Sequence, residues 1–106
     1  MPRREQLEKM LEADPDDVFL NYALALACIA EGETADGLDR LSQVIDRDPK
    51  YVAAYFQSGQ VLAETGETDA AREIVARGVE VAQTVGDSHA EMEMTAFLES
   101  LQPLSE

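Results

Sequence analysis

The sequence predicts an all-α fold, an α-α superhelix of antiparallel helix pairs with about six helices. Three observations predict it. The chain resembles itself at an offset of 34 residues, its glycines fall where helices must stop, and its apolar residues recur at helical spacing. The offset aligns Asp14-Pro15 with Asp48-Pro49, Val18 with Val52, and Gly32-Glu33-Thr34 with Gly66-Glu67-Thr68. Apolar class follows without identity: Tyr22 aligns with Phe56, Leu7 with Leu41 and Val75, and Leu11 with Ile45 and Val79. No alternating Val/Ile/Tyr run is bounded by a hairpin dipeptide, so strands are not expected.

Each element has a local reason. A helix is expected over 3–13, where Leu7, Met10 and Leu11 stand at i, i+3 and i+4. The next is expected over 16–31, with Asp14 as its cap, Pro15 in its first turn, and Asp16 and Asp17 complementing the positive end of the helix dipole. Gly32 ends it by taking the left-handed conformation, and Thr34 caps a helix over 35–47 with apolar positions Leu41, Val44 and Ile45. Asp48 and Pro49 repeat the opening for 50–65. Gly66 and Thr68 repeat the turn into 69–85, which Gly86 ends. Ser88 and Glu91 fit a capping box for a last helix over 88–101, whose stripe is Ala90, Met94, Phe97, Leu98 and Leu101, and Pro103 follows as a stop. The segment Val18–Ala30 is apolar at nearly every position, so it is either covered on several sides or carries a binding face.

Composition narrows the function. The chain has 106 residues, enough for a single domain over 1–106, with 8 Lys plus Arg against 22 Asp plus Glu and a formal net charge of -14. That balance argues against nucleic acid, whose phosphates need clustered cations. There is no uncharged apolar run of about 18 residues for a membrane span and no apolar core in MPRREQLEKM for a secretory signal. A cytoplasmic protein with neither nucleic-acid nor membrane partners is expected. Few lysines among many acids suit solvation in a salty cytoplasm, and equally the steering of a basic partner.

Catalytic and metal constellations find no support. His89 is the only histidine and Cys28 the only cysteine, so neither a His-rich metal site nor a paired-cysteine zinc site can be assembled. His89 reads as a surface residue near a helix start, and Cys28 as a small core residue. The Asp14 and Asp46 clusters lack the glycine and glutamate that a calcium loop needs at its sixth and twelfth positions. No phosphate-binding glycine motif is present. The expectation is a non-enzyme with no cofactor and no metal.

These features together resemble the tetratricopeptide repeat (TPR) family, whose unit is a helix–turn–helix of 34 residues, in the form of a small stand-alone protein of about two repeats. One repeat covers 16–51 and a second 52–85, with 3–13 as a leading helix and 88–101 as a closing one. Tyr55 occupies the family's aromatic slot, Ala25 and Gly59 its small-residue slot, Ala71 the small residue early in the second helix, and Pro49 the closing proline. Departures are Asn21 at the aromatic slot, Cys28 and Leu62 where Tyr is usual, Gly37 where Ala is usual, and Gln83 at the second closing proline.

The resemblance implies a ligand groove lined by the first helix of each repeat. Its slots carry Phe19, Tyr22, Leu26, Ile29 and Ala30, then Ala53, Phe56, Gln60, Ala63 and Glu64. None is a Lys, Arg or Asn able to grip a terminal carboxylate, so the expected ligand is a peptide or amphipathic helix with apolar anchors on Phe19, Tyr22, Leu26, Ile29, Phe56 and Gln60. Such an acidic adaptor takes a protein partner. Two alternatives stay open: the closing helix folds over these side chains and makes them core, or two copies bury the face in a homodimer.

Overall fold

The computed structural model describes residues 3–101, and among these every regular element is a helix: α1 (Arg3–Ala13), α2 (Val18–Ala30), α3 (Thr34–Arg47), α4 (Val52–Glu64), α5 (Thr68–Val85) and α6 (Ser88–Ser100). The stop expected at Pro103 lies outside the described residues. Gly32, Gly66 and Gly86 all have positive φ, at 86°, 88° and 79°. Each closes the same corner: Glu33 N–H donates to the Cys28 carbonyl, Glu67 to Leu62 and Asp87 to Ala82, the long bond of a Schellman motif.

The helix starts differ from expectation. Asp14-Pro15 and Asp48-Pro49 stand in turns ahead of α2 and α4 rather than at their caps. Asp17 caps α2, its carboxylate accepting from Leu20 N–H at 2.8 Å, and Asp17 N–H closes a turn on the Asp14 carbonyl. An Asp-Pro pair suits the first two places of a type I turn as well as it suits a helix start. The tertiary use of the proline carbonyls decides between them. Tyr55 Oη donates to the Pro49 carbonyl at 2.7 Å, and Asn21 Nδ2 donates to the Pro15 carbonyl at 3.0 Å, in each case six residues back. Thr34, Thr68 and Ser88 are first helical residues rather than caps; the cap positions are Glu33, Glu67 and Asp87, and only Asp87 caps with its side chain, accepting from Ala90 N–H.

Two compact units divide the chain within the second Asp-Pro pair, Met1–Asp48 and Pro49–Glu106. In the first, α2 packs against both α1 and α3. Leu7 and Leu11 of α1 meet Ala23, Leu24, Ala27 and Cys28 of α2 in one buried cluster. Gly37 of α3 lets the other side of α2 approach: a Cβ there would fall on Ile29 Cγ1 and lie 3.0 Å from the Ala25 carbonyl oxygen. Arg4 ties the unit's corners together, donating to Glu33 at 2.5 Å, to Glu8 at 3.3 Å and to Glu31 at 3.4 Å. The bond to Glu33, then that to Glu8, holds the guanidinium even more firmly protonated than usual.

In the second unit α5 packs against α4 and α6, and α6 also touches α4. Val75, Ala82 and Met94 are fully buried, with Phe56, Ile74, Val79, Phe97 and Leu98 packed around them. Gly59 and Gly78 are the close approaches here. A Cβ on Gly59 would collide with Val75 Cγ2, and one on Gly78 would lie 2.7 Å from both Tyr55 Cβ and Met94 Sδ. Arg77 covers the Tyr55 ring, its guanidinium carbon 5.5 Å from the ring centre.

Candidate functional site

Helix α2 is the unusual surface. Its thirteen residues, VFLNYALALACIA, include no charged side chain. Asn21, Ala23, Leu24, Ala25, Ala27 and Cys28 are buried, so α1 and α3 account for much of it. Leu20 packs against the α1 cluster as well, which leaves a flank of larger side chains. Phe19, Tyr22, Leu26 and Ile29 follow at i, i+3, i+7 and i+10, a spacing that lines one flank of a helix. Phe19 is 63% exposed, while Tyr22, Leu26 and Ile29 are half-buried. Ile29 is also the side chain that overhangs Gly37, so it works as a wedge between α2 and α3.

The second unit's candidates divide differently. Phe56 is half-buried and meets Phe97 of α6 edge-to-face, ring centres 5.6 Å apart at 73°. Part of its ring is therefore core, as the covering alternative anticipates for this one residue. Gln60 and Ala63 are half-buried along α4, and Ala53 and Glu64 are exposed. Phe19 thus stands apart as the aromatic side chain most open to a ligand.

Asn21 was legible in the sequence only as a departure from an aromatic slot. Its amide does the polar part of what Tyr55 does in the second unit. Besides the Pro15 bond, Nδ2 donates to the Asp17 carbonyl at 2.8 Å, and Oδ1 accepts from Arg40 at 2.7 Å. Cys28 is 3% exposed, and burial pushes its thiol above the usual cysteine range against the pull of Arg4 and Arg40. His89 sits on the exposed side of α6, Nε2 3.6 Å from the Glu93 carboxylate. Among the described residues no three His, Cys, Asp or Glu side chains converge as metal ligands, and no helix is long and apolar enough to cross a membrane.

Helix pairs that repeat in a 34-residue register, with glycine corners and small residues at the crossings, match sequence profiles of the tetratricopeptide repeat over residues 29–92 and over residues 1–52. The chain belongs to the tetratricopeptide repeat family. A TPR repeat-containing protein of Pseudomonas aeruginosa is 34% identical over 97 residues, covering 92% of both chains. A solved tetratricopeptide repeat domain protein from Salinibacter ruber superposes with a TM-score of 0.82 at 28% identity, over 88% of this chain and 94% of that one. The TPR2B domain of yeast Sti1, solved in its complex with pHsp70, superposes with a TM-score of 0.85 at 16% identity, over 92% of this chain and 78% of that one, which speaks to the fold alone. The TPR assignment gives the close approaches at Gly59 and Gly37 their meaning as hairpin crossings.

Proposed function

We propose that this chain is a non-catalytic, cytoplasmic protein-interaction module that holds a peptide or amphipathic helix on the open flank of α2, with Phe19 as the leading anchor. One observation carries the reading: a phenylalanine 63% exposed on a helix without a single charge. An apolar flank on a rigid helix costs little ordering of its own when a ligand docks. The TPR2B domain of Sti1 lends support by analogy, since that protein is seen with pHsp70.

The test is selection of binding peptides from a displayed library, followed by titration of the enriched peptides against Phe19→Ser. An exposed position leaves folding intact, which circular dichroism checks. An aromatic anchor is worth about 2 kcal/mol, so affinity should fall roughly 30-fold. Peptides that bind Phe19→Ser as tightly as the parent chain would remove α2 from the site.

A further inference from the structure

Helices α1 and α3 each pack on α2, and a cleft stays open between them. It runs along Leu24 and Cys28, which by helical spacing lie on the side of α2 away from Phe19 and Leu26. Two adjoining cavities of about 360 Å³ and 160 Å³ make up the cleft, and Glu8, Leu24 and Arg40 line both. The larger adds Glu12, and the smaller adds Asp36 and Asp39. Arg40 therefore stands in the middle, with carboxylates toward either end.

The charge of Arg40 is not matched where it sits. Arg4 reaches Glu8, Glu31 and Glu33, and Arg47 pairs with Asp16. Arg40 is half-buried, yet it has no carboxylate partner among the described residues; its Nη1 donates to the neutral amide oxygen of Asn21 at 2.7 Å. That bond fixes one corner of the planar guanidinium and leaves the rest of its N–H fork for a ligand. Across the cleft Glu8 is answered by Arg4. Glu12, Asp36 and Asp39 are exposed and have no Lys or Arg partner among the described residues.

We propose that this cleft binds an extended peptide segment in which an acidic residue stands between two basic ones at alternate positions, its carboxylate on Arg40 and its basic side chains on Glu12 at one end and on Asp36 and Asp39 at the other. A lone anion would meet the three acids, and a lone cation would meet Arg40; the alternating pattern satisfies both. The spacing agrees. Alternate side chains of an extended chain point the same way about 7 Å apart, close to the helical rise of about 5.4 Å plus side-chain reach that separates Asp36 from Arg40. A guanidinium held at one corner is suited to a carboxylate, which it takes through two parallel N–H bonds. The segment carries a net positive charge, as the formal net charge of -14 on this chain favours. This site is separate from the open flank of α2 and does not depend on it.

Titration of the nitrogen-15-labelled protein with acetyl-Lys-Ser-Glu-Ser-Lys-amide, followed by NMR into the millimolar range, reads the outcome. Shifts should gather at the Arg40 side chain and along α1 and α3, and leave Phe19 unmoved. Acetyl-Lys-Ser-Lys-Ser-Glu-amide has the same charge in the wrong order and should bind about tenfold more weakly, as should the peptide with Gln in place of Glu. Arg40→Gln keeps an amide donor for Asn21 and loses the charge. It should weaken the Glu peptide about tenfold and leave the Gln peptide unchanged, a coupling that general electrostatic attraction would not produce. Asp36→Asn, at an exposed position that leaves folding intact, should weaken the Glu peptide as well. Absence of binding, equal binding of the reordered peptide, shifts centred on Phe19, or loss of both peptides alike in folded Arg40→Gln would each overturn the proposal.

Discussion

The hydroxyl of Tyr55 and the amide of Asn21 do one job with different chemistry, each fastening the start of a helix to the proline carbonyl six residues back. Tyr55→Phe removes a single neutral hydrogen bond and should cost about 1 kcal/mol in urea unfolding. Asn21→Ala also leaves Arg40 without its acceptor, so the expected loss is larger, about 2 kcal/mol. Gly59→Ala tests packing rather than polarity. Alanine favours the helix by about 1 kcal/mol, but its Cβ would overlap Val75, a fully buried β-branched side chain with no room to turn. Overpacking of about 1–3 kcal/mol should outweigh that gain, giving a net loss in the same assay. Cys28 supplies the pH dependence. Burial raises its folded-state titration above the unfolded value, so the native state keeps a proton that the unfolded chain gives up. Stability is therefore intact below about pH 8.5 and declines as pH rises beyond it, a decline that Cys28→Ala should abolish in thermal melts. The sequence showed both Asn21 and Cys28 as departures from the repeat pattern. It could not show the Asn21 bond, because a contact across a corner depends on how the turn folds back.

Helix boundaries were legible to within a few residues because the glycine corners are conformational demands that few other residues meet. The starts of α2 and α4 were less so, since Asp-Pro serves a turn and a helix opening alike. Which aromatic side chains α6 would cover was not legible either. A stripe of Met94, Phe97 and Leu98 announces that a helix packs, but not which neighbouring ring it meets. Phe56 turned out to meet Phe97, and Phe19 stayed open. The two should therefore separate experimentally: Phe56→Ala should cost about 2 kcal/mol of stability, and Phe19→Ala less than about 0.5. Equal losses in denaturant titrations would place Phe19 in the core as well. Helix α1 is lightly held: Leu7 and Leu11 are its buried residues and α2 is the helix it packs on, whereas α6 packs on both α5 and α4. Hydrogen exchange should find its amides opening well before those of α2, and Leu11→Ala should widen the gap.

Across the whole chain, 22 carboxylates face 8 Lys and Arg, and the folded state concentrates that excess. Added salt should raise the melting temperature by screening it, an effect that thermal melts over a series of ionic strengths would read directly. The proline bonds also say where such a chain can be cut and rejoined. A graft that begins at Val18 or Val52, the first helical residue, would part a side-chain donor from the carbonyl it needs. A cassette from Pro15 to Asp48 carries donor and acceptor together, and it ends where the two compact units divide. Copies inserted or deleted in that frame should keep every corner fastened, so the exchangeable module here starts on a turn and not on a helix.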